Sequence, residues 1–514
     1  MSRSRAHALV ADLLARRAER TQAGSLFSSA ASSSASPTAP RRIMTQEEAI
    51  ALGQFVREVL DRPTEDVQIQ HRAIAVALRT PDGLPRCLDI DEFQLQWVVK
   101  LGRITMSKGQ VGVYTDVRDL DTLRHVLQHA ARPLPEPPPA AQDVEDQAAW
   151  NKIYTPHTYT YLPSTTWHAS TAAATDTQRG TMLARLVAPL RGTPWRGAGT
   201  VAIAQIGFCA LNSSMRVSQW GEMTDSEISL TVHSADGTTS GWSGHAHRDW
   251  DQLNPERVAR ESVAMATQQQ GALRAEPGRY TTILSATAVG QLLRQLPERF
   301  NVEHASPFSF RGTEVGGRDR KGERLFDPHI TLTTDPTDPE GGDFPFFPEG
   351  SPYPSGKVTW VDHGVLKQRS VDIDTGVQYG MPPLRDPECI RMSGGDTSIE
   401  QMIAQCERGI YVNRLATIQD VDRWSATMEG FTRHGCLLIE KGKIKHPIKD
   451  FRWYESPTLA FNRVIALGTP QRVAFGFTPR DSDSGAPHPW PYAPVIAPPL
   501  MIRDFNFSAL ADNA

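Results

Sequence analysis

Cysteine is scarce and scattered. The 514-residue chain has five (Cys87, Cys209, Cys389, Cys406, Cys436), an odd number with no CxxC pair. That excludes a disulfide framework and suits structural thiols in a reducing compartment. Long apolar runs are also missing. No stretch of about 18 apolar residues occurs, so no membrane-spanning helix is expected. Charge of one sign does not dominate. The formal net charge of -4 leaves no global basic field to draw the chain to nucleic acid or anionic lipid. There is no P-loop and no dinucleotide fingerprint. A secretory signal is not expected, because Asp12 interrupts the first apolar stretch and Arg16-Arg17 closes it early. A cytoplasmic protein without membrane or nucleic-acid partners is the expectation.

What is present is ordinary globular composition: 39% hydrophobic and 22% charged residues, with 38 glycines and 38 prolines. At roughly 100–200 residues per domain, the length allows two to four domains with ample cores. The first 43 residues differ. "SLFSSAASSSASPTAPRR" is Ser/Ala/Pro-rich without core patterning, so residues 1–43 read as a disordered tail. The preceding "ALVADLLARRAERT" supports an amphipathic turn or two. Met44 opens a well-formed helix, so an early start codon would account for the tail.

From residue 44 the pattern alternates between helices and half-buried strands. "MTQEEAIALGQFVREVL" is a helix with Thr45 as its cap and Glu47 and Glu48 in the first turn. "VQIQHRAIAVALRT" and "CLDIDEFQLQWVVKLGRITMSKGQVGVYTD" alternate apolar and polar residues, as strands do. "DVRDLDTLRHVLQHA", "TQRGTMLARLVAPL" and "NPERVARESVAMATQQQGAL" read as helices. Residues 132–150 form a proline-rich connection. After Glu276, short strands and Gly turns take over, as in a curled sheet or barrel. The boundary falls near 265–278. It separates an α/β domain (44–270) from a β-rich domain (271–508), with the long helix bridging them or belonging to the first.

Chemistry-bearing residues form no decisive motif. His125 and His129 stand four apart on one helix face, a workable ligand spacing without a third ligand. "SGHAHRDWD" sets His245, His247 and Asp249 two apart; on a strand they would share a face and could contact a substrate. "GWSGH" resembles a nucleophile elbow except that His245 stands where Gly is required. Cys436 opens an apolar strand and is expected to pack inward. "VGGRDRKGER" reads as a solvated hairpin tip.

Five segments in order carry a resemblance to the TldD/PmbA family. They are "PGRYTTILSATAVGQLL", "RGTEVGGRDRKGERLFDPHITLTTDPT", "KVTWVDHGVLKQ", "IRMSGGDTSIEQMIAQCERGIYVNRL" and "GCLLIEKGKIKHPIKDFRW". The similarity runs over residues 45–505 and is clearest in the second half. It implies an α+β, two-domain fold whose C-terminal domain is a curled, barrel-like sheet. Active members resemble metallopeptidases with an HExxxH motif and a distant cysteine ligand. Laid onto this chain through "AVG", that motif falls on Ala286, Thr287 and Gln291, which offer neither ligands nor a carboxylate base. The late segment equivalent to the cysteine ligand, "TPRDSDSGAPHPWPYAPVIAPP", contains no Cys. By resemblance, the chain is expected to be a metal-free, TldE-like partner or pseudo-peptidase subunit, needing no cofactor. It would form a dimer with an HExxxH-bearing TldD-like subunit or with itself, around an extended peptide whose backbone could add to a sheet edge. One alternative is an active metallopeptidase with a relocated zinc site drawn from His245, His247, Asp249, His329, Asp362 and His363. Another is a peptide- or metabolite-modifying enzyme using the same cleft.

Overall fold

The structure is a computed structural model. It describes residues 1–22, 42–60, 66–79, 85–101, 104–113, 117–130, 161–162, 166–212, 217–302, 320–347, 351–371, 376, 381–476 and 494–511. The proline-rich connection at 132–150 lies outside these residues.

The first half is built on one antiparallel sheet. Its strands are β1 (Asp66–Arg79), β2 (Pro85–Leu101), β3 (Ile104–Val113), β4 (Arg196–Asn212), β5 (Val217–His233) and β6 (Ser240–His247). Their order is β3-β2-β1-β4-β5-β6, so β6 is an end strand. β4 is apolar along nearly its whole length because it is covered on both faces. Its odd-numbered positions Val201 and Ile203 pack under the helices Asp176–Val187 and Pro255–Gln268. Cys209 and Leu211 pack under α1 (Arg3–Gln22), α2 (Gln46–Val59) and α3 (Leu120–Ala130). The even positions Ile206, Phe208 and Ala210 meet Phe344 and Phe346 from the second half.

The N-terminal segment departs from the expected disorder. Residues 3–22 form a 20-residue helix. Ala6, Val10, Leu13 and Leu14 are buried against α2. They recur at three- and four-residue spacing, which makes one stripe along the helix. Ion pairs fix its register: Arg16 to Glu48, Arg5 to Glu47, and both Arg3 and His7 to Glu58. The stripe is too weak to fold alone and forms because α2 supplies the other half of its core. The Ser/Ala/Pro-rich residues 23–41 lie outside the described part.

The second half contains a closed ring of strands. β7 (Gly278–Leu284) runs parallel to Arg408–Asp422 and antiparallel to Leu500–Leu510. The ring continues through Phe451–Glu455 and Thr427–Glu440, and returns to Arg408–Asp422. The expected barrel-like character is thus present. Phe451, Trp453, Phe505 and Phe507 fill it, with ring centroids 5.0–5.8 Å apart. Each buried aromatic of this size contributes about 1.5–3 kcal/mol. A second sheet, ordered Val365–Leu366, Val358–Asp362, Leu332–Thr334, Arg391–Met392, Ile496–Ala497, Gln471–Arg472, shares the same core.

Between ring and sheet lies the helix Ala286–Leu293. Ser285 caps it, its Oγ accepting from Ala288 N–H at 3.2 Å. The helix is buried on almost every side, which matches its apolar sequence. Gly290 permits a close approach, since a Cβ there would stand 2.8 Å from Val473 Cγ2. The helix Pro255–Gln268 packs on the first sheet. Just beyond it Gln269 donates to the Cys436 carbonyl at 2.8 Å, so this segment also joins the two halves.

Candidate functional site

A cleft of about 700 Å³ opens where the sheets end. β6 lines one wall with His245 and His247, beside Arg257 and Glu261 of the helix Pro255–Gln268. Facing it are Ser285, Ala286 and Thr287 at the start of the buried helix, Tyr411 and Asn413 from the ring, and Glu400 from the helix Ile399–Gln405. Gln471 and Arg472, an end strand of the second sheet, close one side. Ile444 comes from Lys443–Pro447, which hangs on the ring as an outer strand.

The structure distributes the sequence candidates unevenly. His245 and His247 line the cleft, but Asp249 is not on its wall. The Asp249 carboxylate accepts from Ser170 Oγ and, at 3.1 Å, from Asp251 N–H, capping the following turn. The expected shared face ends because β6 stops at His247 and the chain turns. Ala286 and Thr287 border the cleft, while Gln291 does not. Its Oε1 accepts from Leu415 N–H at 2.8 Å. Residues five apart on a helix diverge by about 140°, so the three motif positions cannot face one point.

The other candidates lie elsewhere. His329 is paired with Asp327 Oδ1 at 2.7 Å, and it does not line the cleft. His363 occupies a turn with a φ of 46°, and its side chain is 80% exposed. His125 and His129 stack with centroids 3.9 Å apart. Ser243 lies within β6 and donates to Glu261 Oε2 at 2.6 Å, so it is not on a strand-to-helix elbow. Cys436 is fully buried, and burial drives its thiol well above the usual range.

Zinc, which the resemblance implies for active members, does not fit these residues. Ala286 and Thr287 bring no nitrogen, sulfur or carboxylate donor. Among the described residues no three His, Cys, Asp or Glu side chains are arranged to hold a metal. The two cleft histidines already use Nδ1 as acceptors. Asn254 N–H donates to His245 at 3.2 Å and Asp249 N–H to His247 at 2.9 Å. Most of the late segment equivalent to the cysteine ligand, residues 478–493 of 478–499, lies outside the described part.

Sequence reasoning missed a buried polar network behind the cleft. Asp225 and Glu227 project from β5, and Arg472 donates to Asp225 Oδ2 at 2.6 Å. Among the described residues Glu227 has no direct cation partner; it accepts Phe475 N–H at 3.2 Å and Gly476 N–H at 2.8 Å. Burial outweighs those donors and lifts the Glu227 carboxyl to about 7, with the Asp225 charge adding to the rise. Arg414 stacks 4.0 Å from the Trp242 ring centroid and donates to the Phe475 carbonyl at 2.7 Å. Burial brings its pKa down to about 10. The signal was legible in "TDSEISL": two carboxylates two apart share one face of a strand, and if that face is buried they need polar partners. His245 shifts the opposite way from the carboxylates. Burial, then Arg257, His247 and Arg472, take it down to about 4, so its ring is neutral at physiological pH.

Comparison with known proteins follows this geometry. Residues 277–509 match the family model described as the PmbA/TldA metallopeptidase C-terminal domain. The fold is similar to a protein from Thermotoga maritima described as a candidate modulator of DNA gyrase: TM-score 0.67, 15% identity, covering 88% of this chain and 99% of that one. A Bacteroides thetaiotaomicron protein of the same description gives 0.68 at 15% identity, over 91% of this chain and 100% of the other. TldE from Thermococcus kodakarensis gives 0.64 at 16% identity, over 88% and 98%. No curated protein matches the sequence.

Proposed function

We propose that the chain is a TldE-like, metal-free member of the TldD/PmbA family that holds an extended peptide for processing, a reading supported by the family-model match over residues 277–509 and by the likeness of the fold to TldE. In this reading catalysis is supplied by an HExxxH-bearing partner, and the two chains form a cytoplasmic dimer. The observation that carries it is the cleft itself. End strands of the first and second sheets and the outer strand of the ring all reach it. Unpaired strand edges are the feature that extended peptides dock beside. Two of the family motif's positions, Ala286 at a ligand position and Thr287 at that of the carboxylate base, sit on its wall without a donor or a base. At about 700 Å³ the cleft has room for a short peptide segment.

The test is metal content by plasma mass spectrometry on native, untagged protein recovered with whatever travels with it. The expected outcome is no zinc in this chain and an HExxxH-bearing companion in the eluate. One zinc per chain that survives chelator dialysis, with no companion present, would replace this reading with an active enzyme whose site has moved.

A further inference from the structure

We propose that His245 and His247 act as a pair of Nε2–H donors that hold two same-side backbone carbonyls of an extended peptide lying along β6. The inference rests on the peptide-holding reading and assigns its contacts. A backbone N–H can only donate, so each Nδ1, taking one, must present its lone pair inward. His247 Nδ1 also lies 3.2 Å from the Asp249 carbonyl, but the amide nitrogen is nearer. In a neutral ring the single proton then sits on Nε2. Among the described residues no hydrogen bond occupies either Nε2. The nearest carboxylate to that of His247 is Glu340 Oε1, at 3.9 Å.

Spacing selects the acceptor. Residues two apart on a strand are about 7 Å apart, and same-side carbonyls of an extended chain repeat at the same interval. Charge selects it again. Arg257 is paired with Glu261 at 3.1 Å, Arg472 with Asp225 at 2.6 Å, and Arg391 with Asp338 at 2.6 Å and Glu340 at 3.9 Å. With each of these arginines paired to a carboxylate, the site suits an uncharged acceptor better than a free anion. A metal is disfavoured because each Nε2 carries a proton in place of a lone pair. The contacts engage main chain only, so the histidines would grip peptides without regard to sequence.

The experiment uses the full-length protein and a dye-labelled decapeptide of alternating Ser and Val, followed by fluorescence anisotropy. At about one hydrogen bond per ring, His245→Leu or His247→Leu should weaken binding about fivefold, and the pair about 25-fold. His245→Gln with His247→Gln keeps an amide donor near each Nε2 position and should restore most of the loss. Wild type that binds as well as the double Leu variant would sink this inference and leave the peptide-holding reading standing. Wild type that fails to bind the decapeptide would remove both. Failure of Gln to rescue would overturn the donor role. A second readout does not depend on the variants folding. Long-range ¹⁵N–¹H spectra of the wild type should show these two rings protonated at Nε2, and protonation at Nδ1, or zinc displacing the Nε2 proton, would overturn the assignment.

Discussion

Glu227 is the residue most exposed to pH. Its carboxyl ionises at about 7 in the folded protein, while an unfolded glutamate ionises near 4.3. A raised folded-state pKa means the native protein holds a proton that the unfolded chain has released. Its contribution is therefore fully present below about 4.3 and is lost as pH rises to about 7. The upper bound is on the order of 3 kcal/mol. Arg472 opposes the rise, while the Asp225 charge adds to it. Chemical denaturation of wild type and Glu227→Gln across pH 4.5–7.5 checks this. The variant should show a smaller slope in that window, the remainder coming from groups such as Asp450, raised to about 6 by burial, and an unchanged slope would refute the assignment. Ala286→His with Gln291→His makes a second residue-scale case. No casein cleavage is expected, because residue 291 is directed to Leu415 N–H and no carboxylate base accompanies the pair. Detectable cleavage would count against the placement of the motif.

At the scale of elements, α1 is the informative one. It docks through a narrow apolar stripe, with Leu13 and Leu14 at 0% and 1% exposure. Leu13→Ala should cost about 2–5 kcal/mol, by lost transfer energy and the cavity left behind. Thermal melts and limited proteolysis read the outcome. Unchanged stability would mean that the helix does not contribute to the fold. Trp453→Ala, inside the ring, should cost about 3–5 kcal/mol and impair the second half first. The helix Ala286–Leu293 shows how an element is placed by fit. Ser285 starts it, and Gly290 lets it approach Val473.

For the whole molecule, the assembly is the open proposal. The surface carries exposed large apolar residues, among them Val421 and Trp424 near the turn between the Arg408–Asp422 and Thr427–Glu440 strands. Light scattering at micromolar concentration should report a dimer, homo- or heteromeric. A clean monomer with no co-purifying chain would weaken the subunit reading. The two halves already share buried contacts: Phe344 and Phe346 against β4, Arg472 with Asp225, and Gln269 with Cys436. Variants at these joints should therefore alter the cleft as well as stability.

Some of this was legible in residues alone. Alternation at period two identified the strands, and Thr45 marked a helix start confirmed by its capping box with Glu48. The Gly-rich turns after Glu276 announced a curled, barrel-like sheet, because short strands must close on themselves to satisfy their edges. Missing donors at Ala286 and Thr287 are a property of sequence and needed no coordinates. Other features were decided only by tertiary structure. The α1 stripe gains its stability from α2, which no local pattern records. His245 and His247 reach the cleft while Asp249 does not, because β6 ends between them. That Gln291, at a motif position, is directed to Leu415 and away from the cleft was set by how its helix packs. The shift of Glu227 arises from burial by a segment some 250 residues away in the chain. Local periodicity fixes which residues share a face; only packing determines what that face meets.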